Sequence, residues 1–293
     1  MQGKVLRAQN SFFYVATREG LVEAKLRGRL KKERIAVVPG DDVELELTEG
    51  GAGVIERRCE RKSLLRRPLV ANIDQVVLVF AAREPDINPV LIDRFLVLAE
   101  WSKIERIILC INKMDLLEGD EAEIPALAAL YREIGYPVCL LSTITGEGVA
   151  DMQSLVEEKT SVFAGSSGVG KSSLLNCLAP GIALSTGAVS EKIKRGRHTT
   201  RTAQLLPFAG GFLVDTPGFS ATELAEIEPC ALPGLFPEFR SFFGACRFQP
   251  CTHSHEPDCA VKEAVQTGSI EDSRYASYLE MLQQSVQRKK VYR

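Results

Sequence analysis

The sequence predicts a multidomain α/β protein. It would comprise an N-terminal β-barrel of the oligonucleotide-binding (OB) type, a doubly wound sheet around a phosphate loop, and a C-terminal metal-binding unit with helices. Three observations carry this prediction. Several short strand-like runs fill the first part of the chain, strand alternates with helix from residue 73 to residue 215, and cysteines and a histidine cluster ahead of one long helical pattern. The expected boundaries are 1–66, 67–222 and 223–293.

At 293 residues, 45% hydrophobic and 25% charged, the chain has the make-up of a soluble globular protein. Its net charge of −2 supplies no overall pull toward nucleic acid, so any RNA contact must rest on local clusters. No charged-then-apolar leader opens the sequence, and no apolar run approaches membrane-spanning length. Eight cysteines without a leader argue against a disulfide framework. The expected compartment is the cytoplasm.

In the barrel, residues 11–16 and 34–38 are predicted strands, and residues 42–48 alternate with period two. Turns fall at Glu19-Gly20, Pro39-Gly40-Asp41 and Gly50-Gly51-Ala52-Gly53. Short strands packed this densely fit a small closed barrel. Lys25, Arg27, Arg29, Lys31, Lys32 and Arg34 punctuate it, and Arg57, Arg58, Arg61, Lys62, Arg66 and Arg67 form an expected basic linker. Such runs serve either as a solvated surface or as an RNA contact.

The texture changes at Asn72. The run Val76-Val77-Leu78-Val79-Phe80 has the continuous apolar character of a strand buried in a parallel sheet. Residues 90–101 and 126–134 predict helices, and 106–111, 137–141, 161–164, 202–208 and 211–215 predict further strands. In the tail, residues 270–290 place Tyr275, Tyr278, Leu279, Leu282 and Val286 on one helical face, ending in Arg288-Lys289-Lys290.

The stretch Gly165-Ser166-Ser167-Gly168-Val169-Gly170-Lys171-Ser172-Ser173 fits the phosphate-loop pattern between a strand and a helix. Glycines let successive N–H groups close around phosphate oxygens, and the helix N-terminus adds its positive dipole. Lys171 would reach the β- and γ-phosphates and Ser172 would ligate magnesium. At the end of strand 106–111 stands Asn112-Lys113-Met114-Asp115. A carboxylate at Asp115 accepts from guanine N1–H and the exocyclic amine but is left unpaired against adenine, which discriminates strongly. Asn112 would steady the neighbouring loops, the Lys113 stem would cover the base, and the Ser142-Thr143 pair would set a backbone amide near guanine O6.

Asp215-Thr216-Pro217-Gly218 would hold the magnesium shell through Asp215 and sense the γ-phosphate through the Gly218 amide. Thr199 or Thr200, in Gly196-Arg197-His198-Thr199-Thr200-Arg201, would give magnesium a switch hydroxyl. These motifs resemble the translation-factor-related class of GTPases, in an unusual chain order: the Asn-Lys-x-Asp and Ser/Thr elements precede the phosphate loop. A sheet tolerates this when the domain's ends lie close together, because joining them and cutting elsewhere keeps every strand in place. The cut falls after Gly218, so the second switch leads straight into the cysteine-rich unit. There Cys246, Cys251, His253 and Cys259 supply a full tetrahedral set for one structural zinc. His255 is a competing ligand by position and Cys230 a remote one.

Barrel, permuted sheet and Cys-Cys-His-Cys unit, in that order, resemble the bacterial ribosome small-subunit-dependent GTPase A family over essentially the whole chain. The resemblance implies a GTP- and magnesium-dependent hydrolase that works late in small-subunit assembly and binds its 16S RNA. It also implies a subunit-stimulated rate, since Phe219 stands where Ras-type enzymes carry the water-orienting glutamine. His198 is the nearest candidate to replace that glutamine, or is an RNA-facing residue. Lys192, Lys194, Arg195, Arg197 and Arg201 surround it for an RNA backbone to pair with. No membrane partner and a monomeric state off the ribosome are expected. The rival reading is a guanine-nucleotide switch whose end units bind a protein rather than RNA.

Overall fold

The computed structural model describes residues 1–66, 69–119, 122–180, 203–215 and 226–291. Strands β1 (Gln2–Gln9), β2 (Phe12–Thr17) and β3 (Gly20–Leu26) are followed by a short helix α1 (Gly28–Lys32) and by β4 (Asp42–Leu47) and β5 (Gly53–Arg58). They close a barrel in the order β1-β2-β3-β5-β4, with β1 against β4 and β3 parallel to β5. Alternation decides what lies inside: Val5, Val15, Val43, Leu45 and Ile55 face the core while Asp42 and Glu44 face out.

Residues 34–38 depart from expectation: they form an extended coil, not a strand. Every edge of the barrel is already taken, since β3 pairs with β5, so Val37 is buried in the barrel core with Leu30 of α1 and Val38 is buried too, while Arg34 and Ala36 are exposed. Ile35 N–H bonds to the Leu30 carbonyl (3.0 Å) and Val38 N–H to the Asp41 carboxylate (2.7 Å), which supplies the partners a strand would have given.

The expected basic linker is also different. Arg57 and Arg58 end β5, and Arg66 ends β6 (Leu64–Arg66), which pairs with β7 (Leu69–Ala71) in a hairpin. Arg61 is bidentate to Asp41, at 2.6 and 2.9 Å, and Asp41 is fully buried. That carboxylate hydrogen bond raises the Arg61 pKa. Arg27 pairs with Glu56, Arg29 with Glu33 and Arg57 with Glu44. Arg27, Arg29, Arg57 and Arg61 are therefore neutralised within the barrel.

Among the described residues, six strands make the central sheet, in the order β10 (Val138–Leu140), β9 (Arg106–Asn112), β8 (Gln75–Ala81), β11 (Thr160–Ala164), β13 (Gly211–Asp215), β12 (Gln204–Phe208). All neighbours are parallel except β12 with β13. Strand β8 is buried at every residue because helices cover both faces. Val76, Leu78 and Phe80 share a core with α2 (Pro89–Trp101) and α3 (Glu123–Ile134). Val77, Val79 and Ala81 share the other with α4 (Val149–Val156) and α5 (Lys171–Leu178).

Beyond residue 226 come two 3-10 turns, Leu232–Leu235 and Pro237–Phe242, then α6 (Ala260–Gln266) and α7 (Asp272–Val291). The buried face of α7 is Arg274, Ser277, Tyr278, Met281, Leu282 and Ser285, and Val286 is 40% exposed, so the stripe is rotated from the expected one. Arg274 causes the rotation. Its side chain is 1% exposed, with Nη1 bonded to Asp93 of α2 and Nε to Glu238 at 2.7 Å. Tyr131 of α3 donates to the same Asp93 carboxylate at 2.6 Å. Burial opposes the charge on Arg274, but the two carboxylates outweigh it and its pKa is raised. Removing one partner strands the others without water, at a cost of roughly 3–5 kcal/mol. Arg274→Ala should lower stability by about that amount in equilibrium urea unfolding, as the stranded-charge penalty requires.

Candidate nucleotide site and metal centre

Parallel strands deliver their C-terminal ends to one edge, where open α/β sheets bind ligands. Asn112, Leu140, Ala164 and Asp215 end β9, β10, β11 and β13 at that edge. Gly165 leaves β11 at φ +151, and a Cβ there would overlap the Val79 carbonyl. Gly168 and Gly170 follow at φ +84 and +91, with Gly170 the residue before α5. Ser167 and Gly168 are exposed, Ser166, Lys171, Ser172 and Ser173 half-buried, and Val169 buried. Lys171 Nζ donates to the Gly165 and Ser166 carbonyls, both at 2.7 Å, which lays its stem along the loop.

Asn112 is fully buried and joins two loops. Its Nδ2 donates to the Val169 carbonyl (3.0 Å), and its Oδ1 accepts from Thr143 N–H (3.2 Å). Lys113 sits at φ +62 and its ammonium donates to the Glu84 carbonyl, while Met114 is half-buried beneath the turn. Ser142, 1% exposed, donates to the Asp115 carboxylate and accepts from Ile144 and Thr145 N–H, both at 3.1 Å. Asp115 is thus aimed by a buried hydroxyl while remaining exposed. An exposed acceptor beside a cradle of glycine N–H groups is suited to a base at one end and phosphates at the other.

Asp215 is paired through its backbone to Phe163 on one side and Gln204 on the other. His198, Thr199, Thr200, Gly218 and Phe219 lie outside the described residues, as do Lys192, Lys194, Arg195, Arg197 and Arg201. The sequence reading missed the loop after β8. Glu84 is the Lys113 acceptor, and Pro85 lies beside Gly168. The available signal was topological, since β8 ends at the same edge.

In the C-terminal unit, Cys246, Cys251, His253 and Cys259 converge with all ligand atoms within 4.8 Å of one another. Sulfur separations are 3.9 Å (Cys246 to Cys259) and 3.8 Å (Cys251 to Cys259), and His253 Nδ1 is 3.5 Å from Cys246 and 3.3 Å from Cys259. A tetrahedron with metal–sulfur bonds of about 2.3 Å has sulfur–sulfur edges of about 3.8 Å, so the set fits one ion of zinc's size. His255 is exposed, bonded to Ser254, and stands outside the group. Cys230 is exposed on the wall of an adjoining cavity of about 430 Å³ and likewise stands outside it. Burial lowers the His253 pKa and pushes the Cys251 thiol up to about 12. Phe243 stacks on the His253 ring at 5.8 Å, and Tyr275 of α7 donates to the His253 carbonyl at 2.7 Å.

The family profile described as RsgA GTPase matches residues 57–225, and that of the RsgA N-terminal domain matches residues 2–55. The chain belongs to the RsgA GTPase family. Among its relatives, the small ribosomal subunit biogenesis GTPase RsgA of Caldanaerobacter subterraneus subsp. tengcongensis is 45% identical over 291 residues, 99% of this chain and 97% of that one. The protein of the same name from a Geobacillus species is 45% identical over 294 residues, covering 99% of each. The crystal structure of YjeQ from Thermotoga maritima superposes with a TM-score of 0.86 at 41% identity, over 97% of this chain and 98% of that one. That of YloQ, a circularly permuted GTPase, gives 0.84 at 38% identity, over 98% and 95%. The RsgA fold here is therefore the OB-type barrel, permuted sheet and cysteine-rich unit expected. Among the described residues no helix is long and apolar enough to cross a membrane.

Asn112 bonds both the phosphate loop and the loop after β10. Two buried hydrogen bonds at about 1 kcal/mol each predict that Asn112→Ala weakens guanine nucleotide binding roughly tenfold to fiftyfold. Titration with a fluorescent GDP analogue measures it.

Proposed function

We propose that the chain hydrolyses GTP in the service of small ribosomal subunit biogenesis, contacting the subunit's 16S RNA. The observation that carries this reading is the single edge shared by the glycine cradle and the Asp115 carboxylate, bridged by Asn112. Asp115 reads the guanine N1–H and amine, and Ser142-Thr143 lie beside O6. The 165–173 loop, with Lys171, holds the phosphates. Ser172, Asp215 and one of Thr199 and Thr200 would hold magnesium, which when bound would supply charge neutralisation to the phosphates. Gly218 is assigned to sense the γ-phosphate, and His198 is the candidate to orient the attacking water. We divide the chain into a barrel (1–66), a GTPase unit (67–222) and a metal-binding unit (223–293), working as a monomer in the cytoplasm.

RNA contact rests on local charge. Lys31 and Lys32 are exposed on α1, and the 192–201 segment holds five cations. With no glutamine at position 219, hydrolysis is slow until the subunit stimulates it. GTP turnover should rise when purified small subunits are added, and the stimulation should shrink as salt rises, because phosphate contacts release counterions. Lys171→Ala should abolish turnover in both conditions. A rate indifferent to subunits would overturn the proposed role, and subunit association that survives RNase would favour a protein partner.

The Cys-Cys-His-Cys set holds one structural zinc, since four protein ligands leave no open position. Metal analysis should return about one zinc per chain. Zinc binding must displace thiol protons, and burial raises the Cys251 pKa to about 12, so apparent affinity should climb with pH across the neutral range. Competition with a chromophoric chelator at several pH values checks the sign, and an affinity independent of pH would contradict thiolate ligation.

A further inference from the structure

Another cavity lies away from the nucleotide edge. Helix α3 runs back from the strand ends as a crossover to the parallel strand β10, so its last residues, Glu133 and Ile134, stand at the opposite edge of the sheet. There the end of α3, the second 3-10 turn, residues 268–271 and the first turn of α7 enclose about 300 Å³. Leu130 and Phe242 give it half-buried apolar walls, and the exposed Glu133 and Glu271 stand at its rim. Arg274 and Glu238 form its floor.

That floor is not saturated. Arg274, 1% exposed, gives Nη1 to Asp93 and Nε to one oxygen of Glu238, while its Nη2 has no hydrogen-bond partner among the described residues. The second Glu238 oxygen, Oε2, is buried and without a partner as well. A buried donor and acceptor in that state cost stability until something pairs with them. The charge is out of balance too. Two carboxylates, Asp93 and Glu238, on one guanidinium leave one negative charge over, and Glu133 and Glu271 bring two more. Among the described residues neither rim carboxylate has an ion-pair partner, and no cation but Arg274 lines the cavity.

An occupant must therefore offer an acceptor to Arg274, a donor to Glu238 and positive charge to the rim. RNA fails on charge, because its phosphates would face the carboxylates. A polyamine fails for want of an acceptor. A polypeptide meets every condition: each residue carries a carbonyl, and an arginine or lysine lays an apolar stem along the walls with its charged head at the rim. We propose that this cavity is a docking site for a basic, extended segment of a partner protein. A main-chain carbonyl of that segment pairs with Arg274 Nη2, and its cationic heads pair with Glu238, Glu133 and Glu271. The site is separate from the RNA contact and does not depend on the guanine-nucleotide reading.

The test uses the full-length zinc-loaded chain and a fluorescein-labelled, amidated peptide of alternating arginine and glycine with three arginines, titrated by anisotropy. Two double variants are compared with wild type: Glu133→Gln with Glu271→Gln at the rim, and Glu19→Gln with Glu49→Gln on the barrel as a charge-matched control. The rim variant should weaken peptide binding about tenfold, the scale of two solvent-exposed ion pairs, and the control should leave it unchanged. GTP turnover should be the same in all three. Unlabelled spermidine, with the same three charges and no carbonyl, should displace the peptide poorly. A labelled oligouridylate should bind the rim variant no more weakly than wild type. If Glu271→Gln loosens α7, seen as a lowered melting temperature, Glu133→Gln alone carries the comparison. Wild-type protein that does not bind the peptide, equal losses in rim and control variants, or spermidine competing as well as unlabelled peptide would overturn the proposal. So would an oligouridylate that loses affinity in the rim variant, which would mark the cavity as an RNA contact.

Discussion

A guanidinium buried away from water holds the C-terminal unit to the sheet. Arg274 is bonded by Asp93 and by Glu238, with the Phe236 ring 4.8 Å beneath it and Tyr131 closing the set. An ion so deeply buried is tolerated only when carboxylates pair with its charge, so the partners must arrive together from α2, α3, α7 and the second 3-10 turn. Helix α7 then positions everything beyond it. Tyr275 and Tyr278 bond the carbonyls of His253 and Thr252, fixing the loop that presents the metal ligands, and Ser285 bonds Ile227. One helix therefore connects the metal-ligand cluster, Ile227 and the helices that cover the central sheet.

Much of the fold was legible in the sequence because burial and backbone period write themselves in residue type. The runs of β8 and β9 are apolar throughout since helices cover both faces, and β4 alternates since one face meets water. What escaped were elements whose partners are remote. The apolar 34–38 run reads as a strand until one knows that the barrel has no free edge for it. Arg61 reads as part of a solvated linker until Asp41, twenty residues earlier, is seen buried and waiting. The α7 stripe was placed wrongly because a hydropathy reading assigns arginine to the solvent side, and Arg274 is the largest fully buried side chain of that helix.

At the site, the legible residues were those whose spacing encodes a backbone shape. Gly165, Gly168 and Gly170 occupy positive φ, as the phosphate-loop pattern demands. The Asn112 and Asp115 side chains meet partners that the motif requires but does not contain, Val169 and Ser142. The Lys113 bond to Glu84 was beyond reach, because any residue presents a carbonyl and none advertises which. The metal set was readable as composition, whereas the exclusion of His255 needed coordinates, since two histidines so close in sequence are equivalent until one turns inward.

Gly170 lies in the phosphate loop, yet the atom that a side chain there would strike is Asn112 Nδ2, in the motif proposed to read the base. The two motifs are distant in the chain and are usually catalogued as separate modules. In heritable terms they are one locus: a change at position 170 registers as damage at position 112, and drift at either is confined by the other. Recoding this site for an unnatural base is then not a matter of Asp115 alone. Directed evolution confined to the base-reading loop explores only those variants that leave an asparagine-sized amide against a bare glycine. Libraries that vary both segments together open the remainder.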